Sequence, residues 1–275
     1  MKAKKNISLP QQGKSIIALL TDFGTEDHYV AAMKGRILSI NPSAVIVDIT
    51  HAVEPHNVRQ GGYLLWSACR FFPKGTIFIG IVDPGVGTER NILAVQTPKY
   101  SFLLPQNGLA NAVLSDELNF DAVRIDFRKS AAYFQFPISA TFHGRDVFAP
   151  LAVYLSLGVS IKEFGERIEL PPAIPLFMHL RDELVKPGIV HIDHFGNIIT
   201  NIRVPLQTEA ERAIKAISIG HNLVSRWTET YADAPDNTPC LIVGSSGLVE
   251  ISIKNKKASA ALGVTLDTPL KMYWQ

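Results

Sequence analysis

Short hydrophobic runs alternate with longer amphipathic stretches along the first half of the chain. The runs at 16–20, 44–49 and 76–82 are almost wholly apolar, which is typical of strands buried on both faces of a sheet. The stretches between them, 29–40 and 58–71, have the hydrophobic spacing of helices. Strands that alternate with helices form right-handed βαβ units. This half therefore predicts a three-layer α/β domain with a mostly parallel sheet.

The pattern changes at residues 170–175, LPPAIP, whose prolines fit neither a helix interior nor a central strand. We interpret this segment as a linker. Beyond it, short strand-like runs separated by turn residues lie at 188–192, 198–202, 216–219, 240–243 and 248–253. The chain is thus predicted to form two domains: an α/β domain over 1–175, with a flexible leader at 1–14, and a β-barrel-like domain over 176–275.

Composition narrows the class of protein. Of the 275 residues, 47% are hydrophobic and 19% are charged, a globular balance that excludes a disordered chain. The formal net charge of +2 gives no general attraction to nucleic acid or to an anionic membrane. The basic start is followed by no signal-peptide core and no apolar stretch of about 20 residues. We therefore expect no nucleic-acid partner and no membrane association.

The two cysteines, Cys69 and Cys240, lie far apart and outside any CxxC or Cys/His cluster. This spacing argues against a disulfide framework and a zinc ribbon, and it suits a reducing compartment. We expect the protein to be cytoplasmic.

Polar or glycine-rich turns follow the predicted strands, at the carboxyl ends where open α/β sheets bind ligands. Asp22 comes directly after the first strand and fits either an acceptor for a ligand hydroxyl or a turn residue. The segment VDPGVGTER at 82–90 holds Asp83 and Arg90 on a glycine-rich turn. Glycines let a backbone approach a ligand closely, and Arg90 fits either a group that binds an anion or the partner of Asp83 in an ion pair that closes the turn.

A histidine in the segment FHGRD, His143, precedes an apolar helix predicted at 147–157. It is a candidate general base or hydrogen-bonding group. The neighbouring Asp146 fits a plainer role, capping the helix and pairing with Arg145.

The second half holds two further candidate sites. His191, Asp193 and His194 alternate as metal ligands can, but nothing nearby supplies the further donors that a metal needs, so we predict no metal. Asp193 and Asn197 instead fit an amine or a base edge. The turn GSSG at 244–247 fits either a backbone nest for a carboxylate or an ordinary hairpin turn.

Several segments occur in an order that is specific when they are taken together. They are TDFG at 21–24, DITH at 48–51, VDPGVGTER at 82–90, PQNG at 105–108, TFHGRD at 141–146, FGN at 195–197 and SSG at 245–247 followed by Glu250. In these segments the chain resembles the S-adenosyl-L-methionine (SAM) hydroxide adenosyltransferases, the SAM hydrolases, which are related to the fluorinases and chlorinases. The resemblance spans residues 16–265.

The resemblance implies that SAM is hydrolysed to adenosine and L-methionine, with water or hydroxide attacking C5′. It also implies an α/β N-terminal domain, a β-barrel-like C-terminal domain and a homotrimer. The substrate SAM would lie between the N-terminal domain of one subunit and the C-terminal domain of its neighbour. No cofactor is implied besides the substrate.

The same resemblance assigns roles to single residues. The implied catalytic set is Asp83, Arg90 and His143, and it stays open whether Asp83 takes the proton of the water or holds Arg90 in place. The residues implied to contact SAM are Asp22 at the ribose, Asp193 and Ser245 at the methionine amine and carboxylate, Asn197 at the adenine, and also Phe23, Gln106, Asn107, Phe142, Phe195 and Ser246.

Three features favour a hydrolase over a halogenase. His143-Gly144 stands where the fluorinase carries Tyr-Ser, whose serine contacts fluoride. Asp83 stands where halogenases carry a residue that is not an acid. Only a short stretch separates Arg90 from Pro105, where the fluorinase has a long inserted loop.

Other functions stay open at this point. They are a halogenase, a sensor that binds SAM or adenosine without chemistry, and a metal-dependent hydrolase that uses His191, Asp193 and His194. The chain also departs from the usual family pattern at Gln106, where hydrolases mostly have Asp, and at Gly244, where Asn is common. The step of four residues from Asp193 to Asn197 is one shorter than in the fluorinase.

Overall fold

The computed structural model describes residues 15–117, 119–180, 185–205 and 207–275. The chain divides into two compact units, Met1–Ile174 and Pro175–Gln275. The leader predicted at 1–14 lies outside the described residues. Each unit has a hydrophobic core of its own.

A seven-stranded sheet forms the centre of the first unit, in the order β2-β1-β3-β5-β4-β6-β7. Its strands are β1 (Ile16–Thr21), β2 (Val45–Thr50), β3 (Ile77–Ile81), β4 (Ile92–Gln96), β5 (Ser101–Pro105), β6 (Asp121–Ile125) and β7 (Gly165–Ile168). The pairs β1–β2, β1–β3 and β3–β5 are parallel, whereas β4–β5, β4–β6 and β6–β7 are antiparallel. The predicted α/β class is confirmed, but half of the sheet is antiparallel.

The antiparallel half departs from the predicted alternation of strands and helices. Residues 97–100 are too few for a helical crossover, so β4 and β5 pair as a hairpin. Thr97 closes this turn: its backbone N–H donates to the Tyr100 carbonyl at 2.9 Å, and its hydroxyl accepts from the Tyr100 N–H at 3.0 Å.

Helices cover both faces of this sheet. They are α1 (Tyr29–Ile40), α2 (Val58–Cys69), α3 (Asn111–Leu114) and α4 (Ala149–Ser156), with a π-helical turn at Gly144–Phe148 and 3₁₀ turns at Ala131–Tyr133 and Ile161–Glu163. Helices α1 and α4 pack in one core with Ile79 of β3. The next residue, Gly80, faces the opposite side of the sheet, where a Cβ on it would lie 3.6 Å from Leu65 Cδ2 of α2. This order of helices, sheet and helices confirms the three layers.

Two sheets share the core of the second unit. The strands are β8 (Met178–His179), β9 (Ile189–Ile192), β10 (Ile198–Arg203), β11 (Ile214–Ile219), β12 (Asn222–Val224), β13 (Pro239–Val243), β14 (Leu248–Ile253) and β15 (Leu270–Trp274), and the helices are α5 (Gln207–Ala213) and α6 (Ala258–Leu262). Strands β13-β14-β10-β8, with β9 beside β10, form one sheet, and β12-β11-β15 form the other. Each strand-like run predicted here is a strand; β8, β12 and β15 are additional.

No helix in the described part of the chain is long and apolar enough to cross a membrane.

Candidate active site

The carboxyl ends of β1 and β3 bring two of the predicted residues into neighbouring positions. These strands are parallel partners, so the segments that follow them leave the sheet side by side. Asp22 follows β1, and its backbone N–H donates to the Ile81 carbonyl at 3.3 Å. Asp83 begins the turn two residues after Ile81. The sheet therefore places the Asp22 and Asp83 segments at one edge.

Asp83, Arg90 and His143 form one hydrogen-bonded chain. Arg90 Nε donates to Asp83 Oδ1 at 2.7 Å, and Arg90 Nη2 donates to Asp83 Oδ2. The same Nη2 lies 3.3 Å from His143 Nδ1. The predicted trio, which spans more than fifty positions of sequence, thus comes together in space.

The three side chains are shielded from solvent, which affects the pKa of His143. The side chains of Asp83 and Arg90 are only 3% and 10% exposed, so they form a buried, bidentate ion pair. Burial, followed by the positive charge of Arg90, lowers the pKa of His143. Because arginine has no acceptor, His143 Nδ1 must accept from Arg90, and the neutral ring then carries its proton on Nε2.

The segment around His143 is held by its neighbours. Arg145 Nε and Nη2 donate to the two carboxylate oxygens of Asp146 at 2.7 and 2.8 Å. Asp146 Oδ2 also accepts from the Ser139 N–H at 2.9 Å. The predicted pairing of Asp146 with Arg145 is therefore confirmed, but the predicted cap is wrong, because the N-cap of α4 is Phe148 and makes no side-chain cap hydrogen bond. His143 lies at the start of the π-helical turn and bonds separately to Arg90.

The turn after β1 carries Asp22 and, next to it, Phe23, whose ring belongs to an aromatic cluster. Asp22 Oδ2 accepts from the His56 N–H at 2.9 Å. The rings of Phe23, Tyr29 and Phe142 lie 5.2–6.1 Å apart in tilted or edge-to-face contacts. Tyr29, which opens α1, was missed by the sequence reasoning, because a first helical residue gives no sign of what its ring contacts.

The turn after β5 uses its two amide side chains to brace the backbone. Gln106 Oε1 accepts from Asn91 Nδ2 at 2.7 Å. Asn107 Nδ2 donates to the Val82 carbonyl at 2.7 Å, and its Oδ1 accepts from the Leu109 N–H at 3.2 Å. Asn107 therefore holds the residue next to Asp83, a positioning contact that the sequence did not reveal.

His51 of the DITH segment supports the turn after β1 through two contacts. The Thr21 hydroxyl lies 2.9 Å from His51 Nδ1, and the His51 carbonyl accepts from the Gly24 N–H at 2.8 Å. His51 Nε2 lies 3.1 Å from Asp48 Oδ1. The buried His51 thus supports the turn that carries Asp22, a role for which the motif alone offered no signal.

In the second unit, Asp193 and Asn197 close a tight turn. Asp193 Oδ1 accepts from the Asn197 N–H at 2.8 Å, and Oδ2 accepts from Asn197 Nδ2 at 2.9 Å. Phe195, at the tip, is 73% exposed. A groove of about 740 Å³ opens beside it, with Tyr231 and Lys256 also in its walls.

The remaining candidates in this unit lie on the GSSG turn and near β9. Ser245 is exposed and Ser246 is buried, both in the connection between β13 and β14. His191 is half-buried, and the burial lowers its pKa. Across the described ranges, no three His, Cys, Asp or Glu side chains are grouped as ligands for a metal ion.

Comparison with known proteins identifies the family. A model of the SAM hydroxide adenosyltransferase N-terminal domain matches residues 17–165, and one of the C-terminal domain matches residues 188–271. An (R)-S-adenosyl-L-methionine hydrolase of Thermus thermophilus is 32% identical, covering 93% of this chain and 98% of the relative. One from Methanocaldococcus jannaschii is 35% identical, covering 90% and 92%.

More distant and structural relatives agree with this. A fluorinase of an Actinoplanes species is 29% identical, over 74% of this chain and 76% of the relative. The crystal structure of an uncharacterized conserved protein from Thermotoga maritima superposes with a TM-score of 0.81 at 31% identity, covering 94% of this chain and all of that one. The chain therefore belongs to the SAM hydroxide adenosyltransferase family.

Proposed function

We propose that this protein hydrolyses SAM to adenosine and L-methionine, with water or hydroxide attacking C5′ of the adenosyl group. The observation that carries the proposal is the hydrogen-bonded chain of Asp83, Arg90 and His143 beside the end of β1. Relatives that match over nine-tenths of their length and of this chain are named (R)-S-adenosyl-L-methionine hydrolases.

The chemistry of SAM decides what the site must supply. The C5′–S bond breaks with its electron pair on sulfur, so the sulfonium leaves as neutral methionine and needs no proton. A new C5′–O bond forms, and one proton of the water is released. Water, with a pKa of about 15.7, is a poor nucleophile. Catalysis therefore depends on holding and activating water or hydroxide in line with the C5′–S bond.

The geometry supports distinct roles for the three residues. Both carboxylate oxygens of Asp83 accept from Arg90, so we assign Asp83 to orienting the guanidinium rather than to taking the proton. His143 receives a hydrogen bond on Nδ1 and presents its Nε2–H as a donor. Arg90 and His143 would hold the attacking oxygen and stabilise its hydroxide form.

The surroundings of Gly144 favour a hydrolase over a halogenase. A Cβ on this residue would lie 3.1 Å from Met33 Sδ and 3.3 Å from both Ile81 Cδ1 and Phe142 Cε2. These neighbours are apolar and tightly packed, so a serine here would be crowded and its hydroxyl would face no polar partner among them. A serine at this position would reach a halide only if the side chains of Met33, Ile81 and Phe142 moved by a few tenths of an ångström.

We propose that the methionine and adenine ends of SAM bind to the second unit of a neighbouring subunit in a homotrimer. Asp193 would bind the amine, Ser245 the carboxylate, and Asn197 the adenine. The exposed Phe195 ring at the groove supports this, because an exposed aromatic side chain is a ready surface for a base.

Mixing two impaired variants tests the shared site. At SAM concentrations well below the KM of Asp193→Ala, we expect the His143→Ala and Asp193→Ala proteins each to be nearly inactive and their mixture to regain about a quarter of the wild-type rate after the subunits are exchanged, the random-pairing value for sites shared around a closed ring. Adenosine formation before and after mixing measures this. No recovery, in mixtures whose subunits have exchanged by mass spectrometry, would place each site within one subunit.

The state of the cysteines supports a reducing, cytoplasmic location. Cys69 and Cys240 are both free and buried. Burial raises the pKa of the Cys69 thiol to about 11, which keeps it protonated and unreactive.

A product assay tests the proposed reaction. Chelator-treated protein is incubated with SAM, with and without chloride or fluoride, and the products are separated by chromatography. We expect adenosine and methionine in every case. A 5′-halogenated adenosine would establish a halogenase, and SAM that stays bound but intact would establish a sensor. Activity that returns only with added metal would favour the metal-dependent alternative.

The pH dependence of kcat/KM follows from the environment of His143. Protonation would place an N–H on Nδ1 facing Arg90 Nη2 and bring two positive charges together. Since burial and Arg90 lower the pKa of His143, activity is present above this lowered value and is lost as pH falls through it. We expect the acid limb of the profile below pH 6.5, the ordinary histidine pKa being about 6.5. A limb at or above this value would contradict the arrangement.

A further inference from the structure

The imidazole of His143 contacts an aromatic ring as well as Arg90. Its Nδ1 lies 3.3 Å from Arg90 Nη2, a long hydrogen bond that fixes one atom of the ring and lets the ring pivot about it. The ring centroid of Phe127 lies 5.9 Å from that of His143, and the two ring planes are inclined at 54°. Rings at this distance attract one another. Phe127 therefore adds a second restraint on the imidazole.

The turn that carries Phe127 is held by hydrogen bonds on both sides of this residue. Asp126, which follows β6, accepts through Oδ1 from the Arg128 N–H at 2.7 Å and from the Lys129 N–H at 3.1 Å. The Asp126 N–H donates to the Phe164 carbonyl at 2.9 Å. The backbone at Phe127 is thus fixed by its own turn and by the neighbouring segment.

The side chain of Phe127 also rests on the hydrophobic core of the first unit. Its ring centroid lies 5.7 Å from that of Phe134, which is 9% exposed and belongs to this core. Phe127 itself is 37% exposed. The ring therefore lies at the surface of the unit, between the core and His143. It reaches the imidazole from an element that carries none of Asp83, Arg90 and His143.

The role assigned to His143 requires a fixed ring. Its Nδ1 accepts from Arg90, and its Nε2–H is the donor that would hold the attacking oxygen. The terminal torsion of a histidine side chain is broad, so the backbone does not select one orientation of the ring. A displacement of about 1 Å at a reacting group lowers a rate by about a hundredfold. A packed neighbour that restrains the ring thus affects turnover directly.

We propose that Phe127 is a positioning residue for His143: its ring fixes the imidazole so that Nδ1 stays against Arg90 and the Nε2–H faces the attacking oxygen. Phe127 acts only through His143, because its side chain has no polar atom that could donate or accept a hydrogen bond. The reaction in which it takes effect rests on the proposed function, whereas the orientation of His143 is measurable without substrate.

The Phe127→Ala variant tests this in the full chain through the rate of adenosine formation. The kcat should fall about tenfold to a hundredfold, because the imidazole samples orientations that do not hold the nucleophile. The KM for SAM and the Kd for adenosine should stay close to wild type, since the loss is confined to the transition state. Phe127→Tyr, which keeps the ring, should keep the wild-type kcat. Phe127→Leu, which keeps apolar volume without a ring, should lie between the two.

A spectroscopic measurement tests the orientation without substrate. In ¹⁵N-labelled protein the shifts of the imidazole nitrogens report which nitrogen carries the proton, and the His143 signals are identified by their loss in His143→Ala. The measurement is made at about pH 8, above the ordinary histidine pKa of about 6.5. We expect one tautomer, protonated on Nε2, in the wild type and in Phe127→Tyr. Phe127→Ala should show both tautomers, because its imidazole is released from Arg90.

The outcomes separate positioning from a general structural role. A single tautomer together with the wild-type kcat in Phe127→Ala would overturn the proposal, as would equal losses of kcat in the Tyr and Ala variants. A lower thermal midpoint with equal losses of kcat and of adenosine affinity would also overturn it. Phe71→Ala is the matched control, since it removes a phenylalanine that is 78% exposed and contacts Arg70, and it should behave as wild type.

Phe127→Leu covers the case in which Phe127→Ala does not fold. A single tautomer and the wild-type kcat in this variant would then overturn the proposal, whereas two tautomers and a lowered kcat would support it. Should the wild type leave SAM intact, the proposed hydrolysis would fail. Two tautomers in Phe127→Ala would in that case still show that Phe127 orients His143.

Discussion

The Asp83→Asn variant is expected to bind SAM but to turn it over about a hundredfold more slowly than the wild type. Asparagine keeps the volume of the side chain but replaces one acceptor oxygen with a donor that faces Arg90. The two-point contact of Arg90 is then lost, and its guanidinium no longer holds the attacking water beside His143. Adenosine formation gives kcat, and calorimetry with SAM gives the binding constant.

The effects of substituting Asp83 and His143 on turnover should also be non-additive, because both residues belong to one hydrogen-bonded network with Arg90. The double variant Asp83→Asn/His143→Ala should be about as slow as either single variant. Asp121→Asn is the matched control, since it removes a carboxylate from an exposed ion pair with Arg167, and it should turn over SAM normally. Wild-type turnover in both Asp83→Asn and His143→Ala would refute the catalytic assignment.

The Asp22→Ala variant is expected to raise the KM for SAM by about tenfold to a hundredfold, with a smaller effect on kcat. Asp22 lies at the carboxyl end of β1, where its Oδ2 already accepts from the His56 N–H. This contact fixes the carboxylate and leaves Oδ1 to accept from a ribose hydroxyl, a charge-assisted hydrogen bond. Initial-rate kinetics over a range of SAM concentrations measure the change.

A modified substrate separates ribose binding from a general effect on folding. The KM difference between wild type and Asp22→Ala should shrink when the substrate lacks its ribose hydroxyls. Asp27→Ala, at an exposed acid of the same turn, is the control and should keep the wild-type KM. An unchanged KM for SAM in Asp22→Ala would exclude the ribose contact.

Parts of the fold follow directly from the hydrophobic pattern. Strands β1 and β3 are predictable because helices cover the sheet at its centre, so their residues read as nearly unbroken apolar runs. The run at 44–49 is also a strand, β2, but the expectation that it is buried on both faces is wrong, because β2 lies at the edge of the sheet and has no buried residue. Helix α1 begins at Tyr29 and ends at Ile40, as predicted, because Asn41-Pro42 stops it. Helix α2 ends at Cys69, two residues before the predicted end.

Other elements are not predictable in this way. The apolar run of β4 at Ile92–Gln96 also fits a buried helix segment, and only the short turn to β5 makes it an antiparallel strand. Strand β15 depends on pairing with β11, some fifty residues earlier in the chain. Long-range pairing of this kind leaves little trace in local hydrophobic spacing.

The candidate site, like the fold, is predictable from the sequence only in part. Residue types and their order along the chain are enough to select Asp83, Arg90 and His143 and to identify the family. A reaction at a sulfonium carbon needs hydrogen-bond donors that hold its nucleophile, and the motifs contain such residues in a fixed order. Which oxygen accepts from which nitrogen is decided only in three dimensions. The parallel pairing of β1 and β3 and the start of the π-helical turn bring together groups that are far apart in the chain.

The environment of Glu250 is likewise decided by tertiary structure. In the sequence it is one acid in an apolar strand, with no sign of its partners. Pairing of β14 with β10 and β13 buries it against Gly244, and no cationic side chain in the described part of the chain pairs with it. Burial and the absence of a counter-charge are properties of the packed sheet, because they depend on which strands become neighbours.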